Sequence, residues 1–159
     1  MANAILVLAE QLRGELSDIT FEMLGAGRAL ASASGAPLYA ALLGSEAAPL
    51  APKLGLADKV FVADNPQFNL APANTIAGAL KALMDQTQAG MILLGCTNMS
   101  LGIGSILSVK TGLPLVNFCR GAKTEGGAVV FTSQLFGGKI LSDVKLADGV
   151  NPVKLEFTP

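Results

Sequence analysis

The chain has 159 residues, enough for one domain with its own hydrophobic core, and 11 basic against 12 acidic residues leave a net charge of −1. Hydrophobic residues make up 51% of the sequence and charged residues 14%, whereas charged residues usually reach about 25% in globular domains. The sequence has no basic cluster, no basic leader and no apolar run of about 20 residues. It therefore predicts a soluble cytoplasmic protein that binds neither nucleic acid nor membrane.

The sequence contains no histidine and only two cysteines, Cys96 and Cys119. Histidine is the commonest general base and metal ligand, and the two cysteines lack the Cys-x-x-Cys spacing of metal sites. We therefore expect no metal site and no hydrolytic chemistry, and we interpret both cysteines as core thiols in a reducing compartment. We do not expect the chain to be a catalyst by itself.

Short apolar runs alternate with segments of helical periodicity as far as residue 118, and glycine turns separate the last strand-like segments. The alternation predicts strands at residues 4–9, 38–43, 59–63, 91–94 and 115–118. The intervening helices are expected at residues 20–34, 45–54, from 74 onward and 100–111, the last three capped by Ser45, Asn74 and Ser100. Further strands are expected at 129–132, 140–144 and 153–157, with turns at Gly126-Gly127 and Gly137-Gly138.

This order of elements predicts an α/β fold in three layers, with a mostly parallel twisted sheet and helices on both of its faces. The last three predicted strands form a C-terminal antiparallel extension. We find no repeat and no linker, so we expect residues 1–159 to form a single domain. Gly25 and Gly27 lie inside the first predicted helix, where each costs about 1 kcal/mol relative to alanine. We attribute both glycines to close packing of that helix on the sheet.

The most promising candidate site is the glycine-rich turn after the strand at 91–94. Open parallel sheets bind ligands outside the carboxyl ends of their strands, and helix N-termini attract anions. The hypothetical nucleotide or anion ligands in this turn are Gly95, Thr97, Asn98, Ser100 and Gly102. The turn lacks the third glycine of the dinucleotide fingerprint and the lysine of a P-loop. A tight turn in which Ser100 merely caps the helix is the alternative interpretation.

Several segments resemble, in their order and spacing, the N-terminal domain of the electron transfer flavoprotein α subunit. The resemblance rests on an opening strand, a Leu-Gly-Ala helix, a third strand, a Leu-Leu-Gly-x-Thr turn, a late Phe-Thr strand and an aromatic-Gly-Gly-Lys turn. These occupy residues 5–10, 22–30, 57–64, 93–97 with 100–102, 131–132 and 136–139. The last turn is either a plain hairpin turn or a place where Lys139 reaches a partner or an acidic cofactor group.

The resemblance implies a domain that pairs with a similar domain of a β-subunit-like chain and forms the base for a mobile flavin domain. In that family FAD is held mainly by the C-terminal α domain and AMP by the β subunit. The 159 residues lack the flavin domain, so the resemblance assigns no FAD-contacting residue here. Two charged motifs of the family also differ, with Ile103 and Gly104 in one and Ser133 and Gln134 in the other. The resemblance thus implies an electron-transfer component with altered contacts to a separate flavin domain.

A second function is compatible with the same fold. The predicted architecture resembles the adenine nucleotide alpha hydrolase-like group, which includes the universal stress proteins. The chain would then be a stand-alone homodimeric module that binds AMP or another adenine nucleotide through the turn at 95–102, without electron transfer.

Overall fold

A computed structural model of the chain describes residues 3–126, 128–146 and 154–157. The described residues form strands β1 (Ala4–Ala9), β2 (Gln11–Leu12), β3 (Glu15–Leu16), β4 (Leu38–Gly44), β5 (Lys59–Asp64), β6 (Ala89–Gly95), β7 (Leu115–Glu125), β8 (Ala128–Leu135), β9 (Ile140–Lys145) and β10 (Lys154–Phe157). They also form helices α1 (Asp18–Ser34), α2 (Ala73–Thr87) and α3 (Ile103–Thr111), with 3-10 turns at Ala48–Leu54, Pro66–Phe68 and Phe136–Gly138.

Eight of these strands form one sheet in the order β5-β4-β1-β6-β10-β7-β8-β9. The pairs β5-β4, β4-β1, β1-β6, β6-β10 and β10-β7 are parallel. The pairs β7-β8 and β8-β9 are antiparallel. The predicted fold, a mostly parallel sheet with an antiparallel extension, is therefore confirmed. Strands β2 and β3 pair with each other in a small antiparallel hairpin, which the sequence pattern does not predict.

The two faces of the sheet bury separate hydrophobic clusters, which accounts for the continuous apolar runs of the parallel strands. In β1, Ile5, Val7 and Ala9 face the cluster that contains residues of α1. Leu6 and Leu8 face the cluster that contains residues of α2 and α3. Because side chains alternate along a strand, one buried strand supplies both clusters and places helices on both faces.

The proposed helix caps at Ser45, Asn74 and Ser100 are wrong. After β4 the chain forms 3-10 turns over Ala48–Leu54, because the prolines in this segment lack the N–H that an α-helix needs. Helix α2 begins one residue before Asn74, at Ala73, and the N–H groups of Thr75 and Ile76 donate to the carbonyl of Pro72. Helix α3 begins after Gly102, which has φ of 85° and occupies the cap position.

The last predicted strand does form, as β10, but not in the antiparallel extension. It lies between β6 and β7 and runs parallel to both. The sequence pattern predicts this strand beside its neighbours in the chain, because consecutive strands commonly pair. Two residues of the predicted pattern, Gly127 and Val153, lie outside the described residues.

The two glycines of α1 have different structural roles. A Cβ atom built on Gly27 would lie 2.7 Å from Leu38 Cδ1 and 3.2 Å from Val7 Cγ2, so this position requires close approach of helix and sheet. A Cβ atom on Gly25 would meet nothing within 4 Å. The close-packing explanation is therefore right for Gly27 and wrong for Gly25.

We expect Gly25→Ala to stabilise the protein by about 1 kcal/mol, because alanine is the better helix former and its methyl group meets open space. Gly27→Ala serves as the matched variant, with the same gain in helix propensity but a crowded methyl group. We expect it to destabilise the protein by about 1–2 kcal/mol. Urea unfolding of both variants tests this, and equal stabilisation by the two substitutions would contradict the packing described here.

Asp58 ties helix α1 to the start of β4 and β5. Its Oδ1 accepts a hydrogen bond from Arg28 Nη2 at 2.8 Å, and its Oδ2 accepts from the N–H of Leu38 at 2.7 Å. Arg28 also donates to the carbonyl of Leu56. The hydrogen bonds from Arg28 and Leu38 hold the pKa of Asp58 below its ordinary value of 3.8.

A lowered folded-state pKa means that Asp58 contributes stability above its unfolded pKa, and that this contribution is lost as pH falls through the folded pKa. We expect Asp58→Asn to reduce the free energy of unfolding at neutral pH, and we expect the difference from wild type to shrink as the solution is acidified. Urea unfolding over a pH series measures this. We expect Arg28→Gln to remove most of the pH dependence that Asp58 causes. If the pH dependence persists in Arg28→Gln, Arg28 is not the main cause of the lowered pKa.

Candidate functional site

A cleft of about 520 Å³ lies at the carboxyl ends of β1, β4 and β6. The chain leaves β1 for β4 on one side, while β6 lies on the other. Such a switch point is where open α/β sheets place their ligands. Apolar side chains form the floor, and loops after β1, β4 and β5 form the rim. The cleft is lined by Leu8, Ala9, Glu10, Gln11, Leu12, Arg13, Gly14, Leu43, Ser45, Glu46, Phe68, Asn69, Leu70, Ile76, Met99, Ser100 and Ile103.

A chain of hydrogen bonds joins the ends of β1 and β6 beside this cleft. Thr97 Oγ1 donates to Glu10 Oε2 at 2.7 Å and lies 3.0 Å from Ser100 Oγ. The Ser100 hydroxyl donates in turn to the carbonyl of Gly95. The link closes the turn after β6 against the residue that follows β1.

Glu10 is itself held by the first turn of α1. Its N–H donates to Thr20 Oγ1 at 2.8 Å, and that hydroxyl donates back to the carbonyl of Glu10 at 3.0 Å. The side chain of Glu10 is 4% exposed, and its Oε1 accepts no hydrogen bond from the described residues. A buried carboxylate oxygen without a donor is costly and rare in folded proteins. Glu10 Oε1 is such an acceptor among the described residues.

The five residues proposed from the sequence lie in one turn but have different environments. A Cβ atom on Gly95 would lie 2.8 Å from Glu10 Oε1, so glycine is needed for the contact between β6 and β1. The hydroxyls of Thr97 and Ser100 bond within the turn, and Ser100 is only 1% exposed. Asn98 is exposed, and Gly102 caps α3. Of the five, Ser100 alone lines the cleft.

Most of the residues that line the cleft lie outside the turn predicted from the sequence. The β2–β3 hairpin supplies one wall, and the loop after β4 supplies another. Asp64 holds that loop, since its two carboxylate oxygens accept from the N–H groups of Glu46 at 2.8 Å and Ala48 at 3.1 Å. The side chain of Asn69 accepts from the N–H of Ser45 at 3.0 Å. The adjacent Arg13-Gly14 was the one local signal of a turn that could have indicated the hairpin.

The charges around the cleft do not suit the pyrophosphate of a flavin dinucleotide. Two carboxylates, Glu10 and Glu46, line it, and Arg13 is the only basic residue among its described lining residues. The hydroxyls of Thr97 and Ser100, which the sequence predicts as phosphate ligands, already bond to Glu10 and Gly95. The described residues therefore do not fit FAD at this cleft.

Two further features of the described part bear on function. Its helices include none long and apolar enough to cross a bilayer. Its His, Cys, Asp and Glu side chains do not come together in any group of three or more that could hold a metal ion.

Comparison with protein families gives a match to the electron transfer flavoprotein domain over residues 5–151. The electron transfer flavoprotein subunit alpha of Megasphaera elsdenii is 32% identical over 92% of this chain and 44% of its own length. The subunit of the same name from Bacillus subtilis is 28% identical over 93% of this chain and 46% of its own length.

A third relative carries a different name. The acryloyl-CoA reductase electron transfer subunit beta of Anaerotignum propionicum is 35% identical over 69% of this chain and 31% of its own length. The chain thus spans less than half the length of these relatives.

The contacts of the turn predict how its residues respond to substitution. We expect Thr97→Val to lower the free energy of unfolding by about 1–3 kcal/mol, because the buried Glu10 would lose its donor. Asn98→Ala is the matched control at the exposed neighbouring position, and we expect it to change stability by less than about 0.5 kcal/mol. Urea unfolding measures both; a neutral Thr97→Val would show that the hydroxyl does not support the turn.

Proposed function

The chain belongs to the electron transfer flavoprotein domain family, and we propose that it is the α-subunit-type base of a flavin-dependent electron-transfer assembly. In this role it supplies a partner-binding surface, while the redox chemistry takes place on a flavin held by another part of the assembly. The match to the family over residues 5–151 is the observation that carries the proposal. Two of the relatives above are named electron transfer flavoprotein subunits, and the third is named an electron transfer subunit.

The proposed partners are a β-subunit-like chain and a separate flavin domain, and FAD is the proposed cofactor of the assembly. The mismatch between the cleft and a pyrophosphate supports placing FAD outside this chain. Pairing of the chain with a second copy of itself and a cytoplasmic location stay predictions from the sequence.

An apolar surface at the end of the antiparallel extension supports a partner-binding role. We call Leu135, Phe136 and Ile140 the hairpin patch. Leu135 and Ile140 lie opposite each other in the pairing of β8 with β9, and Phe136 follows at the turn. Leu135 is 42% exposed, Ile140 is 51% exposed and Phe136 is 76% exposed. Clustered apolar side chains of this size commonly mark protein–protein contacts.

The alternative, a stand-alone adenine-nucleotide module that uses the turn at 95–102, receives less support. Thr97 and Ser100 give their hydroxyls to bonds within the protein, which leaves Asn98 and backbone groups for a ligand. Such a module would retain an adenine nucleotide and would bind no β-type chain, so the experiment below separates the two functions.

We expect the chain, co-expressed with a β-type electron transfer flavoprotein subunit and a separate flavin domain, to be recovered as a complex containing flavin. Native mass spectrometry reports subunit composition and bound cofactor together. The double variant Phe136→Ser with Ile140→Ser should weaken the complex by about tenfold or more. Val109→Ser is the matched control, since Val109 is 87% exposed on α3 and lies outside the hairpin patch. Recovery of the wild-type chain alone would contradict the proposed function.

A further inference from the structure

We propose that the cleft at the carboxyl ends of β1, β4 and β6 is a binding site for a nucleoside-sized amphipathic molecule. The ligand would place a heteroaromatic ring on the apolar floor and direct hydroxyl or amino donors toward the carboxylates of the cleft. The glycine-rich turn contributes only Met99 and Ser100 to the described lining of this site, and the hairpin patch lies elsewhere on the sheet. The proposal does not depend on the proposed function, because the cleft belongs to this chain alone.

The size and lining of the cleft suit such a ligand. Its volume of about 520 Å³ falls within the range of about 300–1,000 Å³ typical of small-molecule sites. The floor includes Leu8, which is 5% exposed, and Ile103, which is 1% exposed, with the half-buried Leu43 and Ile76 beside them. An apolar floor with polar groups around it is the usual composition of a site that orients a ring.

The rim of the cleft exposes apolar side chains that the fold itself does not cover. Leu12 is 47% exposed, Met99 46% and Leu70 87%, and all three line the cleft. They come from the hairpin after β1, the turn after β6 and the loop after β5, which are far apart in the sequence. Their convergence at one opening indicates that a ligand with apolar surface covers them.

The backbone of the rim is strained at three positions. Arg13, Glu46 and Leu70 have φ of 54°, 55° and 51°, in the left-handed region that side chains other than those of glycine and asparagine rarely adopt. Three of the six such non-glycine residues in the described part of the chain thus line this one cleft. Strained residues of this kind concentrate at ligand-binding sites, where loop shape is set by recognition as well as by stability.

The charges of the cleft define the chemistry of the ligand. Glu46 is exposed and offers acceptors to the cleft, whereas the Glu10 oxygen that has no donor among the described residues is itself buried. A ligand rich in hydroxyl or amino groups can use such acceptors. The single positive charge of Arg13 can balance one negative charge on a ligand, whereas the two carboxylates repel a polyphosphate. We therefore expect the cleft to prefer a nucleoside to its triphosphate.

Adenosine is the probe for this proposal, and equilibrium dialysis read at 260 nm measures its binding. The chain contains no Trp and one Tyr, so its own ultraviolet absorbance interferes little. We expect saturable binding of adenosine, with ATP bound about tenfold more weakly or worse. Absence of saturable adenosine binding, or ATP binding as tight as that of adenosine, would overturn the proposal.

A matched pair of variants locates the binding. Met99→Trp places a large ring in the cleft, whereas Leu101→Trp places the same ring two residues away at a position that is 68% exposed and does not line the cleft. We expect Met99→Trp to weaken adenosine binding by about tenfold or more and Leu101→Trp to leave it within about twofold. Circular dichroism confirms that both variants fold. Equal effects of the two substitutions would show that adenosine binds elsewhere and would overturn the assignment.

Discussion

The contact between the ends of β1 and β6 is the constraint on which the functional part of the molecule depends. Glu10 accepts from Thr97 across the two strands, and Ser100 ties the same turn to Gly95. Because β1 and β6 flank the switch point of the sheet, this link fixes one side of the cleft. The glycine at position 95 is part of the same constraint, since a Cβ atom there would lie 2.7 Å from Ile19 and 2.8 Å from Glu10.

The segments on either side of this link contribute to the cleft in different ways. The turn after β6 uses its hydroxyl groups to hold itself against β1, and it contributes to the cleft mainly through Met99 and Ser100. The hairpin after β1 and the loop after β4 form the open part. A segment whose polar groups are satisfied internally gives shape to a site, whereas recognition falls to groups that stay accessible, such as the exposed side chain of Glu46.

The sequence predicted the parallel strands well because each is buried on both faces and therefore appears as a continuous apolar run. It failed at the helix starts, since Ser45, Asn74 and Ser100 are residues that bond to the backbone in turns as readily as they cap helices. It could not place β10, whose neighbours β6 and β7 are fixed by tertiary packing and not by the local pattern. The cleft was missed for the same reason, because Arg13, Glu46 and Leu70 become neighbours only once the sheet has formed.

Strand β10, whose position in the sheet the sequence pattern did not predict, lies between the cleft and the hairpin patch. Strands β10 and β7 lie between β6, which borders the cleft, and β8, which leads to the hairpin patch. At about 4.8 Å per strand, three steps across the sheet amount to roughly 14 Å. A partner seated on the hairpin patch therefore need not cover the cleft, and a small ligand in the cleft need not compete with that partner. The order of the strands therefore keeps the proposed partner surface and the proposed ligand site at separate places on one sheet.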